Sequence, residues 1–89
     1  MKGKPQQIYY IKVKTTSNSS FPERLQYAMD VRDFTQQTLA ERIFVARTTV
    51  NGYCTGYRMP SCELLRSIAI VLNVTTDYLL GLDDCIKIY

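Results

Sequence analysis

The chain has no histidine and no tryptophan among its 89 residues, and only four glycines and three prolines. Without histidine, a histidine-ligated zinc site, a Ser-His-Asp triad or a Cys-His pair cannot be assembled within the chain. The three cysteines, Cys54, Cys62 and Cys85, are odd in number and show no C-x-x-C spacing. They exclude a four-cysteine zinc site within one chain, disfavour a disulfide framework and point to a reducing cytoplasm. No apolar run approaches the roughly 18 residues of a membrane span, and no signal-peptide pattern opens the sequence. Nothing pairs a nucleophile with a base, cradles phosphate with glycines or clusters metal ligands. The expectation is a protein that is not an enzyme, with no metal and no cofactor.

What is present is enough apolar sequence, 46%, for one small soluble domain at the lower end of what folds without staples. The net charge of +3 is only mildly basic, but it is unevenly placed. Residues 1–20 carry Lys2, Lys4, Lys12 and Lys14 with no acid; residues 21–58 are close to balanced; residues 59–89 are net acidic, with Glu63, Asp77, Asp83 and Asp84 against Arg66 and Lys87. A polyanion is therefore expected on the first two-thirds of the chain. The alternative is that the leader lysines only solvate.

The hydrophobic period changes along the sequence. The stretch Ile8–Lys14 is β-branched and aromatic and reads as a strand; Thr15–Ser19 is a polar linker; Cys85–Tyr89 reads as a second short strand. Isolated strands leave backbone groups unpaired, so these two are expected to pair with each other or with copies from a second subunit. Between them the spacing is helical. Ser20-Phe21-Pro22-Glu23 has capping-box form, and Phe21, Leu25 and Ala28 form a stripe running to about Arg32. Thr35 suits the N-cap of a helix over Gln36–Ile43, burying Leu39, Ala40 and Ile43. A break at Phe44-Val45-Ala46 precedes a helix over Arg47–Cys54, with Val50 and Tyr53 inward, and Thr55–Pro60 reads as a loop. Ser61 caps a helix carrying Leu64, Leu65, Ile68, Ala69 and Leu72, stopped by Asn73. Thr75 caps a last helix, Thr76–Leu80, closed by Gly81. Leu39, Val50, Leu64, Ile68 and Leu79 are assigned to the core, with Cys54 and Cys62 as small buried or half-buried residues. The expected fold is all-α: five helices over residues 21–84, with a strand and linker over 1–20 and a strand over 85–89.

Two short helices joined by a three-residue break, followed by a loop and a capped helix, describe a helix-turn-helix. At about 100° per residue, Arg47, Thr48, Asn51 and Thr55 share one face of the helix after the break, opposite Val50 and Tyr53. That face holds no acid to repel phosphate. Arg47 suits bidentate bonds to guanine, Asn51 suits adenine, and Thr48 offers a hydroxyl and a methyl to base edges. The alternative for these three is a solvated helix face.

The ordered set Thr35-Gln36-x-x-Leu39-Ala40, Pro60-Ser61-x-Glu63-Leu64-Leu65 and Asp77-Tyr78-Leu79-Leu80-Gly81 resembles the phage-repressor/Cro-like helix-turn-helix family, the xenobiotic-response-element type, over roughly residues 21–84. The resemblance implies that the helix at 47–54 enters the major groove while the helix at 36–43 spans the backbone. It implies that Gln36 bonds phosphate and buttresses the first recognition residue. Thr55, Tyr57 and Arg58 are expected on the DNA backbone, although Tyr57 and Arg58 would also serve to cover the core edge. The expected function is a cytoplasmic, sequence-specific regulator of transcription, a repressor that binds double-stranded DNA as a homodimer, with the stretches Ile8–Lys14 and Cys85–Tyr89 as the dimer device. The alternative is an antitoxin-like interaction module whose main partner is a protein.

Five positions depart from the family pattern. Phe44 stands at the turn position usually held by glycine, which predicts either a reshaped turn or a strained left-handed backbone with the ring packed on a neighbour. Ala46 replaces the usual Ser or Thr cap. Gly52 interrupts the recognition helix, either to admit DNA closely or merely softening the helix. Cys54-Thr55 replaces a common Glu-Asn pair.

Overall fold

The computed structural model describes residues 9–12, 20–83 and 85–88. The elements run β1 (Tyr9–Lys12), α1 (Phe21–Val31), α2 (Gln36–Ile43), α3 (Arg47–Thr55), α4 (Cys62–Leu72), α5 (Thr76–Leu80) and β2 (Cys85–Ile88). The helix starts follow their caps. Glu23 reaches back to accept from the Ser20 backbone N–H at 3.0 Å. The hydroxyls of Thr35, Ser61 and Thr75 accept from the N–H groups of Thr38, Leu64 and Tyr78. Thr55 belongs to α3 rather than to the following loop.

The helix ends share one device. After α1, α2, α4 and α5 a residue turns left-handed, at Asp33, Phe44, Asn73 and Gly81. The next N–H then returns to a carbonyl five residues back: Phe34 to Met29, Val45 to Ala40, Val74 to Ala69 and Leu82 to Asp77. This satisfies carbonyls that the last turn would leave orphaned. Phe34, Val45 and Val74 each lay an apolar side chain against the core just past their helix. Asn73 was expected to do this and Gly81 is free to; Asp33 is tolerated because its short polar side chain suits that backbone.

The core is one cluster drawn from all five helices: Phe21, Leu25, Ala28 and Met29; Leu39, Ala40 and Ile43; Val50 and Tyr53; Ile68, Ala69 and Leu72; Tyr78 and Leu79. α3 packs on both α1 and α2, α2 also packs on α4, and α5 closes against α1 and α4. Leu64, assigned to the core from its spacing, is only half-buried because it lies in the first turn of α4 at the rim. Cys62, at the first position of α4, is exposed rather than buried.

Arg24 of α1 joins this interior and Arg32, the C-cap of α1, is half-buried at its edge; neither role is marked in the sequence. Arg24 is fully buried, and its Nη1 donates to the carbonyls of Tyr78 and Asp83, both at 3.0 Å. Arg32 donates from Nε to the Leu72 carbonyl at 2.7 Å and from Nη2 to the Asn73 carbonyl at 2.9 Å. Each guanidinium therefore sits at the C-terminal end of a later helix, where a cation meets the negative end of the helix dipole. β1 and β2 pair antiparallel with each other inside one chain, Tyr9 opposite Ile88 and Lys12 opposite Cys85. The pairing of these stretches thus needs no second subunit. Ile8, Val13, Lys14 and Tyr89 of the expected strands, and the linker 15–19, lie outside the described residues.

Candidate nucleic-acid interface

α3 buries Val50 and Tyr53 against α1 and α2, which turns Arg47, Thr48, Asn51 and Thr55 outward as exposed side chains. The three residues expected to read bases and one of the four expected on the backbone therefore share an accessible face. Gln36, the first residue of α2, is half-buried beside that face. Its Oε1 accepts from Asn51 Nδ2 at 3.3 Å. The residue it buttresses is thus in the second turn of α3, not Arg47 at its start. Asn51 retains its other N–H and its Oδ1, the pair an adenine edge requires. The Gln36 side chain also makes a hydrogen bond with the Cys54 thiol.

Past the helix, Gly56 takes the left-handed C-cap at φ +83°, and a Cβ there would lie 3.4 Å from Pro22 Cγ. Tyr57 is 83% exposed, so it does not cover the core edge. Arg58 is exposed as well, but its Cβ, Cγ and Cδ lie along the backbone of Gly52. Thr55, expected on phosphate, donates its hydroxyl back to the Gly52 carbonyl at 3.3 Å. Its hydroxyl oxygen can accept from a partner, whereas a phosphate contact as donor would require that bond to break.

Phe44 does adopt the left-handed backbone, at φ 62° and ψ 47°, but its ring is 92% exposed. The expected packing of that ring on a neighbour is therefore not what offsets the strain. The offset lies in the Val45-to-Ala40 bond and the burial of Val45 that the left-handed turn allows. Ala46 provides no side-chain cap to α3, whose first turn closes through backbone bonds from Thr49 and Val50 to the Ala46 carbonyl.

Charge is distributed by the fold. Of the arginines between residues 21 and 58, Arg24 and Arg32 are engaged by backbone carbonyls, whereas Arg42, Arg47 and Arg58 are exposed. Arg42 also lies over the Phe34 ring, 5.5 Å from its centroid. The open concavity between α1 and the end of α3 is lined by Glu23 and Asp30 with Pro22, Gln26, Tyr27 and Cys54. Its carboxylates disfavour phosphate there and favour the Arg47 side. Cys54 is half-buried with its Sγ 3.8 Å from Met29 Sδ. Burial pushes its thiol pKa up, Asp30 adds to the rise, and a hydrogen bond with Gln36 offsets part of it.

A family profile described as helix-turn-helix matches residues 25–79, spanning α2, the turn and α3. The chain belongs to the Cro/C1-type helix-turn-helix family. It is 34% identical over 68 residues to the HTH-type transcriptional regulator ImmR of Bacillus subtilis, a match covering 76% of this chain and 54% of ImmR. It is also 34% identical over 68 residues to the HTH-type transcriptional activator BcrR of Enterococcus faecalis, covering 76% of this chain and 33% of BcrR. The chain thus spans about half the length, or less, of these curated relatives. Among solved structures, it resembles the SOS-response transcriptional repressor LexA from Eubacterium rectale, with a TM-score of 0.64 and 27% identity over 67% of this chain and 64% of that one. The chain therefore carries a helix-turn-helix domain of the kind found in these transcriptional regulators. Among the described residues no helix is long and apolar enough to cross a membrane.

Proposed function

We propose that the chain is a sequence-specific regulator of transcription that represses by binding a pseudo-palindromic operator in double-stranded DNA as a homodimer. In this reading Arg47, Thr48 and Asn51 touch base edges in the major groove, while Gln36, Thr55, Tyr57 and Arg58 hold the backbone. The domain of residues 21–84 carries this activity without catalysis, in the cytoplasm. The observation that carries the reading is the Gln36–Asn51 bond, which fixes an amide on an exposed, acid-free helix face. A side chain held before the ligand arrives loses less freedom on binding.

Dimerisation is supported by affinity and by surface. One module with few phosphate contacts binds weakly, and a second copy on an adjacent half-site multiplies the affinity. Ile70 of α4, Leu80 of α5 and Leu82 just beyond are 62%, 50% and 76% exposed, apolar surface on two neighbouring helices that a second copy would cover. The deciding experiment is selection of bound duplexes from a random pool. The expected result is an inverted repeat with half-site centres about 10 bp apart. Recovery of no common sequence, with binding that does not weaken as salt rises, would leave the interaction-module reading in its place.

A further inference from the structure

Thr48, Gly52 and Thr55 stand at i, i+4 and i+7 on α3 and so form one ridge along the edge of the reading face. The middle residue of that ridge has no side chain, although glycine is among the poorest residues for a helix interior. Gly52 is nonetheless buried. What covers it is Arg58: a Cβ built on Gly52 would lie 2.9 Å from Arg58 Cδ, 3.1 Å from Cγ and 3.3 Å from Cβ. No real side chain tolerates the first of these distances, so any residue larger than glycine displaces the arginine. The Arg58 backbone is held at the same place, its N–H donating to the Gly52 carbonyl at 3.0 Å. The apolar stem fills the notch, and Arg58 as a whole remains exposed, with its guanidinium left to solvent.

We infer that Gly52 is a positioning residue for DNA binding: the missing side chain is a seat that holds the Arg58 stem across the recognition helix and delivers its guanidinium to the phosphates flanking the reading face. This inference rests on the DNA-binding reading above. It also accounts for a glycine that neither close approach of DNA nor a softened helix explains, since the space over Gly52 is already filled from within the chain. A long side chain seated along a helix loses little further freedom when it meets phosphate, so the seat adds affinity without adding charge.

The test is a double-mutant cycle on the selected operator, with Arg58→Ala, Gly52→Ala and the pair, reading affinity against salt and thermal melting together. Arg58→Ala is expected to weaken binding to all sequences alike and to reduce the steepness of log K against log salt by about 1. Gly52→Ala is expected to melt no lower than the wild type, because alanine favours the helix. It is also expected to weaken binding several-fold, with the same loss of slope, and to add nothing once Arg58 is alanine. Nuclear Overhauser contacts from the Gly52 α-protons to the Arg58 methylenes test the seat in the unaltered protein, whatever the stability of the variants. Wild-type-like binding by Gly52→Ala, additivity in the pair, or absence of those contacts overturns the inference while DNA binding stands. Failure of the wild-type chain to bind any duplex overturns the DNA reading and the role of the seat with it.

Discussion

Arg24 and Tyr78 hold each other at both ends. The Arg24 guanidinium donates to the Tyr78 carbonyl at 3.0 Å, the Tyr78 hydroxyl donates to the Arg24 carbonyl at 3.1 Å, and the guanidinium lies 5.2 Å from the centroid of the tyrosine ring. The pair joins α1 to α5 across 54 residues of sequence, with both side chains fully buried. A buried charge held by carbonyls and a ring face is costly to strip of any one of them. Tyr78→Phe is expected to lower stability by about 1–3 kcal/mol, the cost of one buried hydrogen bond whose acceptor stays behind. Arg24→Met, which keeps the apolar stem and loses the charge-assisted bonds, is expected to cost about 2–4 kcal/mol. Urea unfolding followed by circular dichroism measures both; a loss below 0.5 kcal/mol (about the effect of an ordinary surface change) for Arg24→Met would show that the latch contributes nothing net.

Phe44 and Ala46 leave the turn between α2 and α3 less stable than the sequence around it allows. A left-handed backbone costs an L-residue about 1–2 kcal/mol, and the exposed Phe44 ring returns no burial. Phe44→Gly relieves that strain at an entropic cost of about 0.5–1 kcal/mol and is expected to raise the melting temperature by about 3–6 °C. Ala46→Ser supplies the missing cap to α3 and is expected to add about 1 kcal/mol, or about 4–8 °C. The two act on opposite ends of one turn, so a scanning calorimeter should find the double variant near the sum of the single gains. A Phe44→Gly protein that melts lower than wild type would mean that the exposed ring has a partner in solution.

How much of this was legible beforehand depends on the range of each interaction. Caps at Thr35, Ser61 and Thr75, the stop at Asn73 and the inward pair Val50 and Tyr53 rest on contacts within a turn or two, and their residues announce them. The roles of Arg24 and Arg32 were invisible because their acceptors are backbone carbonyls 40 or more residues away, and a carbonyl has no signature in the sequence. With both engaged, the formal charge of residues 21–58 overstates the basic charge available at the site. The outward face of α3 followed from helical geometry alone. The choice of Asn51 as the partner of Gln36 did not, because it depends on how α2 and α3 are packed.

Cys54 and Cys62 should differ sharply in chemistry. Cys62 is exposed at the start of α4, whereas Cys54 is half-buried against Met29 with its thiol pKa raised. Iodoacetamide at pH 8 is expected to label Cys62 well before Cys54, as read by peptide mass spectrometry, because only the thiolate reacts. The same shift has a linkage consequence. A raised folded-state pKa means that the unfolded chain loses this proton first as pH climbs. The Cys54 contribution to stability is therefore full below its ordinary value near 9 and is lost as pH rises through the folded value. The stability difference between wild type and Cys54→Ala should accordingly shrink between pH 8 and pH 10.5 in urea titrations. A constant or growing difference would contradict the burial of the thiol.

The bond between Gln36 and Asn51 makes a prediction that neither residue makes alone. If Asn51 reads adenine with its free N–H and Oδ1, Asn51→Ala removes the base contact outright and is expected to relax preference at one operator position by about 1–3 kcal/mol. Gln36→Ala leaves the amide in place but lets it turn, so part of the same preference should vanish at that same position. Any bond from Gln36 to phosphate would be lost as well, lowering overall affinity without changing the salt slope, because the amide is neutral. Because the two act as one unit, the double variant should lose less than the sum of the single losses. Competition binding against operators mutated at each position separates the effects: Asn51→Ala moves one column of the profile, and Gln36→Ala moves that column together with overall affinity. Losses that simply add, or that fall at different positions, would mean that the 3.3 Å contact does not persist on DNA.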